Sequence, residues 1–100
     1  MTVDITTEGG IIIARMIGRL DTAAAVEITP DIQSLSDQAG GHIIVDCTEL
    51  EYISSSGLRL FLTLRKASAA KGGKMQVRSI NDDIRQVFKM TGFINLFEII

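Results

Sequence analysis

Apolar and polar positions alternate at the start of the chain. Val3, Ile5 and Thr7 are interleaved with Asp4 and Thr6, the two-residue period of a strand with one covered face. Ile11-Ile12-Ile13-Ala14-Arg15-Met16-Ile17 reads as a second strand. Between them, Glu8-Gly9-Gly10 supplies residues free to take positive φ, so the two strands are expected to form a hairpin. Gly18-Arg19-Leu20-Asp21 is expected to be a loop.

The period then changes. Ile28, Ile32, Leu35 and Ala39 step by four, three and four along one helical face. Thr22 is placed to cap that helix, and Ala23-Ala24-Ala25 are strong helix formers. The spacing predicts a helix over about 22–39, kinked near Pro30, which lacks a donor and crowds the carbonyl four residues back. The competing arrangement is an irregular turn to Ile28, then a helix with Thr29 as N-cap and Pro30 at its first position. Gly40-Gly41 ends the element.

Ile43-Ile44-Val45 is a short apolar run, as expected of a strand covered on both faces. Asp46 to Ile53 reads as a connection with Leu50 and Ile53 turned inward. Leu58, Leu60, Phe61, Leu62, Leu64 and Ala67 give the next helix a broad apolar face, closed by Gly72-Gly73. Met75, Val77 and Ser79 alternate with Gln76 and Arg78 in a further strand. Asn81 is the expected N-cap of a last helix, with Asp82-Asp83 at the positive end of its dipole. Ile84, Val87, Phe88 and Thr91 form its inner face, and Gly92 its end. Leu96 to Ile100 is expected to be the final strand.

Strands and crossover helices in this order predict one α/β domain over residues 1–100. Its expected core is a mixed, mostly parallel sheet of four to five strands, with an N-terminal hairpin and helices packed on it. Functional groups in such sheets gather at the carboxyl ends of strands. Tyr52-Ile53-Ser54-Ser55-Ser56-Gly57-Leu58 lies at such a place, after the Ile43–Val45 strand and at the start of a helix. Ser55 or Ser56 suits an N-cap, but three hydroxyls exceed what a cap requires. A helix N-terminus also favours a phosphate, so a serine there is suited to phosphorylation.

Composition narrows the chemistry. The net charge is −2, no basic stripe stands out and Trp is missing, so nucleic-acid binding is not expected. Cys47 is the single cysteine and cannot form an internal disulfide, which fits a reducing compartment. The N-terminus has neither a basic nor an apolar leader region, and no apolar run is long enough for a membrane span. A soluble cytoplasmic protein is expected, without membrane insertion. His42 is the single imidazole and starts a strand at the edge opposite the serines, which argues against a serine hydrolase and against a metal site. Gly72-Gly73-Lys74 is followed by Met75, so it fails the phosphate-loop pattern and reads as a helix stop. Cys47, Met16, Met75 and Met90 are expected in the core. No cofactor is expected.

Asp46 to Leu58, preceded by Gly18-Arg19-Leu20-Asp21, resembles a STAS domain of the anti-sigma factor antagonist type. Gly18, Leu20 and Asp21 match its G-x-L-D motif, and Ser55-Ser56-Gly57-Leu58 its serine corner. Lys71-Gly72-Gly73-Lys74, Val87-Phe88 and Thr91-Gly92-Phe93 follow in the family's order. The resemblance implies a STAS-like fold and a non-enzymatic partner switch in transcription. The antagonist binds an anti-sigma factor that is also a serine kinase, is phosphorylated and released by it, and is reset by a serine phosphatase. The acceptor maps onto Ser55, and Asp21, Ser54, Ser56, Gly57 and Leu58 onto the partner-binding corner. Ser54 departs from the usual Asp. The family commonly adds a helix after the last strand; here the sequence stops at Ile100, so that helix is either absent or lies outside this sequence. The alternative implied by the resemblance is a non-phosphorylated regulatory or scaffold subunit, for example of a lipid or anion transport system.

Overall fold

The computed structural model describes residues 1–100. The hairpin forms as expected: β1 (Thr2–Glu8) pairs antiparallel with β2 (Ile11–Leu20), and Gly9 and Gly10 turn between them at positive φ. Strands β3 (His42–Asp46), β4 (Leu50–Ile53), β5 (Lys74–Arg78) and β6 (Glu98–Ile99) complete a six-stranded sheet. The main order is β1-β2-β3-β5-β6, and every pairing after the hairpin is parallel.

Two sequence expectations change together. Gly18–Leu20 is not a loop but the end of β2, and 50–53 is not a connection but β4. Each gives the other its hydrogen-bonding partner, with Gly18 opposite Leu50 and Leu20 opposite Ile53. The serine stretch therefore follows β4 rather than the Ile43–Val45 run.

The helix expected over 22–39 is two helices, α1 (Thr22–Glu27) and α2 (Thr29–Asp37). Pro30 has no N–H for the carbonyl of Val26, so the chain breaks there instead of bending. The Ile28 N–H closes α1 on the Ala24 carbonyl at 2.9 Å, and the Ile32 N–H begins α2 on the Ile28 carbonyl at 3.1 Å. Ile28 stands at the N-cap, with Thr29 and Pro30 inside the first turn. The N-cap of α1 is Asp21, not Thr22. The apolar face survives the break, since Ile28, Ile32, Leu35 and Ala39 are all buried.

Helix α3 (Ser55–Ala70) crosses to β5, and α4 (Asp82–Thr91) leads through a 3-10 turn (Phe93–Asn95) to β6. The last strand is thus only two residues long. Asn81 caps α4 as expected, its Oδ1 accepting from the Ile84 N–H at 2.8 Å. Phe61 of α3 and Phe88 of α4 meet edge to face at 6.3 Å, with Phe97 beside both. Met16 and Cys47 are buried in the core and Met75 packs against it. Met90 does not: it is 78% exposed, and Thr91 is exposed as well, because α4 turns inward only through Ile84, Val87 and Phe88. His42 is half-buried at the start of β3, with Nε2 2.6 Å from the Gln76 Oε1.

Candidate functional site

The serine corner is built by two parallel strands that end together. Arg19 and Leu20 of β2 lie opposite Tyr52 and Ile53 of β4. The pairing carries one residue further, since the Ser54 N–H donates to the Leu20 carbonyl at 2.9 Å. Adjacent strands lie about 4.8 Å apart, so Asp21 and Ser54 leave the sheet as neighbours. Each then caps a helix. Asp21 Oδ1 accepts from the Ala24 N–H at 2.8 Å, and Ser54 Oγ accepts from the Gly57 N–H at 3.2 Å.

This arrangement gives the three serines different work. Ser54 is the cap of α3, and its hydroxyl oxygen is engaged. Ser56 is half-buried. Ser55 opens the helix and is exposed. The first intrahelical bond is from the Leu58 N–H to the Ser54 carbonyl at 2.9 Å. The N–H groups of Ser55 and Ser56 therefore have no acceptor in the chain, and the aligned peptides behind them amount to about half a positive charge. Arg59 is exposed four residues after Ser55, one turn along the same face. The sequence reading missed Arg59, although its spacing from Ser55 is legible in the sequence.

Gly57 and Leu58 are buried, so their side-chain positions face the core rather than solvent. A Cβ on Gly57 would lie 2.7 Å from Leu20 Cγ and 3.0 Å from Ile53 Cγ1. These two residues hold the corner's shape, whereas Asp21 and Ser55 form its exposed surface.

Where β3 leads into β4, a partly buried ion pair holds the turn. Arg78 Nη2 donates to Asp46 Oδ2 at 2.7 Å, while the Thr48 N–H and hydroxyl donate to Asp46 Oδ1 at 2.9 and 2.6 Å. Burial alone would raise the Asp46 carboxyl; the Thr48 hydrogen bonds and Arg78 outweigh it and hold the group below its ordinary value. Its contribution to stability is therefore complete above the ordinary carboxylate range and is lost as pH falls through the lowered value. Asp46→Asn is expected to cost about 2 kcal/mol near neutrality. In urea unfolding the deficit relative to wild type should shrink as pH falls below the ordinary carboxylate range and through the lowered value, where the native carboxylate is protonated too. A deficit that stays constant with pH would mean the charge is not what stabilises this turn. Next to it, burial and the neighbouring Asp46 charge push the Cys47 thiol up to about 12, so it is an inert core residue.

The sequence model of the STAS domain matches residues 2–100. This chain belongs to the STAS domain family. Among similar proteins, the anti-sigma F factor antagonist of Paenibacillus polymyxa is 29% identical to this STAS domain over 92 residues, covering 90% of this chain and 78% of that one. BtrV of Bordetella bronchiseptica is 28% identical over 90 residues, covering 90% of this chain and 78% of its own. The Bacillus cell-fate determinant SpoIIAA has the same fold. Its phosphorylated form matches 99% of this chain and 91% of its own, at 22% identity with a TM-score of 0.73. The unphosphorylated form matches 99% of this chain and 87% of its own, at 20% identity and the same TM-score. The α/β class and the STAS-like sheet expected from the sequence are thus observed, with six strands in place of four or five. No helix of this STAS domain is long and apolar enough to cross a membrane.

The departure at Ser54 has a structural reading. Asp and Ser rank together among the best N-caps. Where the resemblance implies an Asp, Ser54 caps Gly57 and brings no negative charge beside Ser55.

Proposed function

We propose that this STAS domain is an anti-sigma factor antagonist whose partner binding is switched by phosphorylation of Ser55. The observation that carries the choice of residue is the division of labour at the corner. Ser54 is committed to capping and Ser56 is half-buried, which leaves Ser55 as the exposed hydroxyl of the first turn. The names of the similar proteins support the antagonist role.

In this reading the partner is an anti-sigma factor that is also a serine kinase. The Ser55 Oγ attacks the γ-phosphorus of ATP, the bond to the departing ADP breaks, and the hydroxyl proton passes to a base of the kinase. The product carries about −1.5 to −2 charges and three acceptor oxygens. The unpaired N–H groups of Ser55 and Ser56 and the Arg59 guanidinium are suited to receive them without unfolding α3. The corner's outer surface then changes from neutral hydroxyls to a dianion beside Asp21. A partner seated there must desolvate that charge, and the complex separates. A serine phosphatase restores the hydroxyl by hydrolysing the phosphate ester.

The test is incubation with the cognate anti-sigma factor kinase and ATP, followed by mass spectrometry and affinity measurement. Wild type should gain one phosphate. Ser55→Ala should gain none and still bind, and Ser55→Asp should bind at least about tenfold more weakly, or about 1.4 kcal/mol. Phosphate entering Ser55→Ala at the wild-type level would refute the assignment. No phosphate on wild type, with stable binding to a transport subunit instead, would favour a scaffold role.

A further inference from the structure

Close to the serine corner lies a groove of about 330 Å³ between β4 and the first turns of α4. Its floor is apolar, formed by Ile53, Ile84 and Val87. Tyr52, 41% exposed, forms one wall, and the Arg19 guanidinium lies over its ring at 4.6 Å from the centroid. Exposed Glu51 and Asp83 complete the lining. The chain's ion pairs involve Glu27, Glu8 and Asp46, so neither of these two carboxylates is neutralised. Asn81 fixes the two sides relative to each other, its Nδ2 donating to the Leu50 carbonyl at 3.2 Å while its Oδ1 caps α4.

The geometry points to a second docking surface, one that takes a partner segment in which an apolar side chain sits beside a lysine or arginine. The volume is at the small end of the range of about 300–1,000 Å³ for small-molecule sites, and its open shape suits one or two side chains better than a cofactor. A Tyr–Arg pair over an apolar floor is the kind of surface on which binding energy concentrates. The two free carboxylates outnumber the one guanidinium, which selects a basic flank over an acidic one. Tyr52 is two residues before Ser54, so a protein covering the corner reaches the groove as well. Resting on the antagonist reading, the groove is assigned to the same anti-sigma factor. It confers selectivity that phosphorylation of Ser55 does not touch.

The test has two arms, both on the full chain. In the first, NMR follows titration with two peptides of equal length, one carrying leucine flanked by arginines and the other leucine flanked by glutamates. The arginine peptide should shift the Glu51, Tyr52, Ile84 and Val87 amides saturably, and Glu51→Lys should weaken it about fivefold or more. No saturable shift at these residues, or an equal response to both peptides, overturns the groove as a basic–apolar site. In the second, the anti-sigma factor kinase is titrated with wild type and Glu51→Lys; β4 exposes Glu51, so the fold is kept. A loss of about tenfold supports the assignment, and unchanged affinity overturns it. A kinase that does not bind wild type at all overturns the partner named here together with the antagonist reading, while the peptide arm still decides the groove.

Discussion

Gly73→Ala is expected to be the most damaging single methyl in the molecule. Two Gly-Gly loops meet at the end of the sheet opposite the serines, one after α2 and one after α3. The Lys74 N–H donates to the Gly41 carbonyl at 2.9 Å, and the Gly73 N–H to the Ser68 carbonyl at 2.8 Å. A Cβ on Gly73 would lie 1.8 Å from the Ala39 carbonyl oxygen and 2.7 Å from that of Gly41. Both obstacles are backbone, so no rotamer change relieves them. The loops must part, and the contacts of Lys71 Nζ with the Ser36 and Asp37 carbonyls at 2.8 and 3.1 Å part with them. The expected cost is about 3 kcal/mol or more. For a domain of this size that corresponds to a Tm lower by roughly 12–24 °C, measurable by calorimetry. A fall of less than about 4 °C would show that the loops separate freely.

The second large effect is at the functional corner itself. Gly57→Val should reduce stability by about 2–3 kcal/mol. Its Cβ would meet Leu20 Cγ at 2.7 Å and Ile53 Cγ1 at 3.0 Å, and both side chains are buried with no space to retreat. The position is telling, because Leu20 precedes Asp21 and Ile53 precedes Ser54, the two caps that shape the corner. Moving them displaces both helix starts. A lower midpoint in urea together with slower phosphate incorporation at Ser55 is the expected pair of results. Weakened partner binding with wild-type stability would instead make Gly57 a direct partner contact.

Much of this was legible in the sequence because the relevant signals are local. The hairpin turn at Gly9-Gly10, the apolar face of α3 and the Asn81 cap each depend on residues within a few positions of one another. The choice among the serines was not legible in the same way. Ser54, Ser55 and Ser56 are chemically identical, and only the register of Ser54 against Leu20 decides which one caps and which one is exposed. Met90 is a separate case. As an apolar residue it is expected in the core, but α4 packs along the line of Ile84, Val87 and Phe88, leaving Met90 in solvent.

By itself, the sequence determined an α/β domain with a hairpin first, crossover helices after it, and a serine stretch at a strand-to-helix joint. Period, caps and turn residues suffice for that, since each acts over one or two turns of chain. Tertiary structure alone decided that 18–20 and 50–53 are strands. Neither segment has a strand's alternation, and each becomes one only by supplying hydrogen-bond partners to the other across about thirty residues of chain. That non-local pairing places Asp21 beside Ser54, turns Gly57 inward and leaves Ser55 facing out.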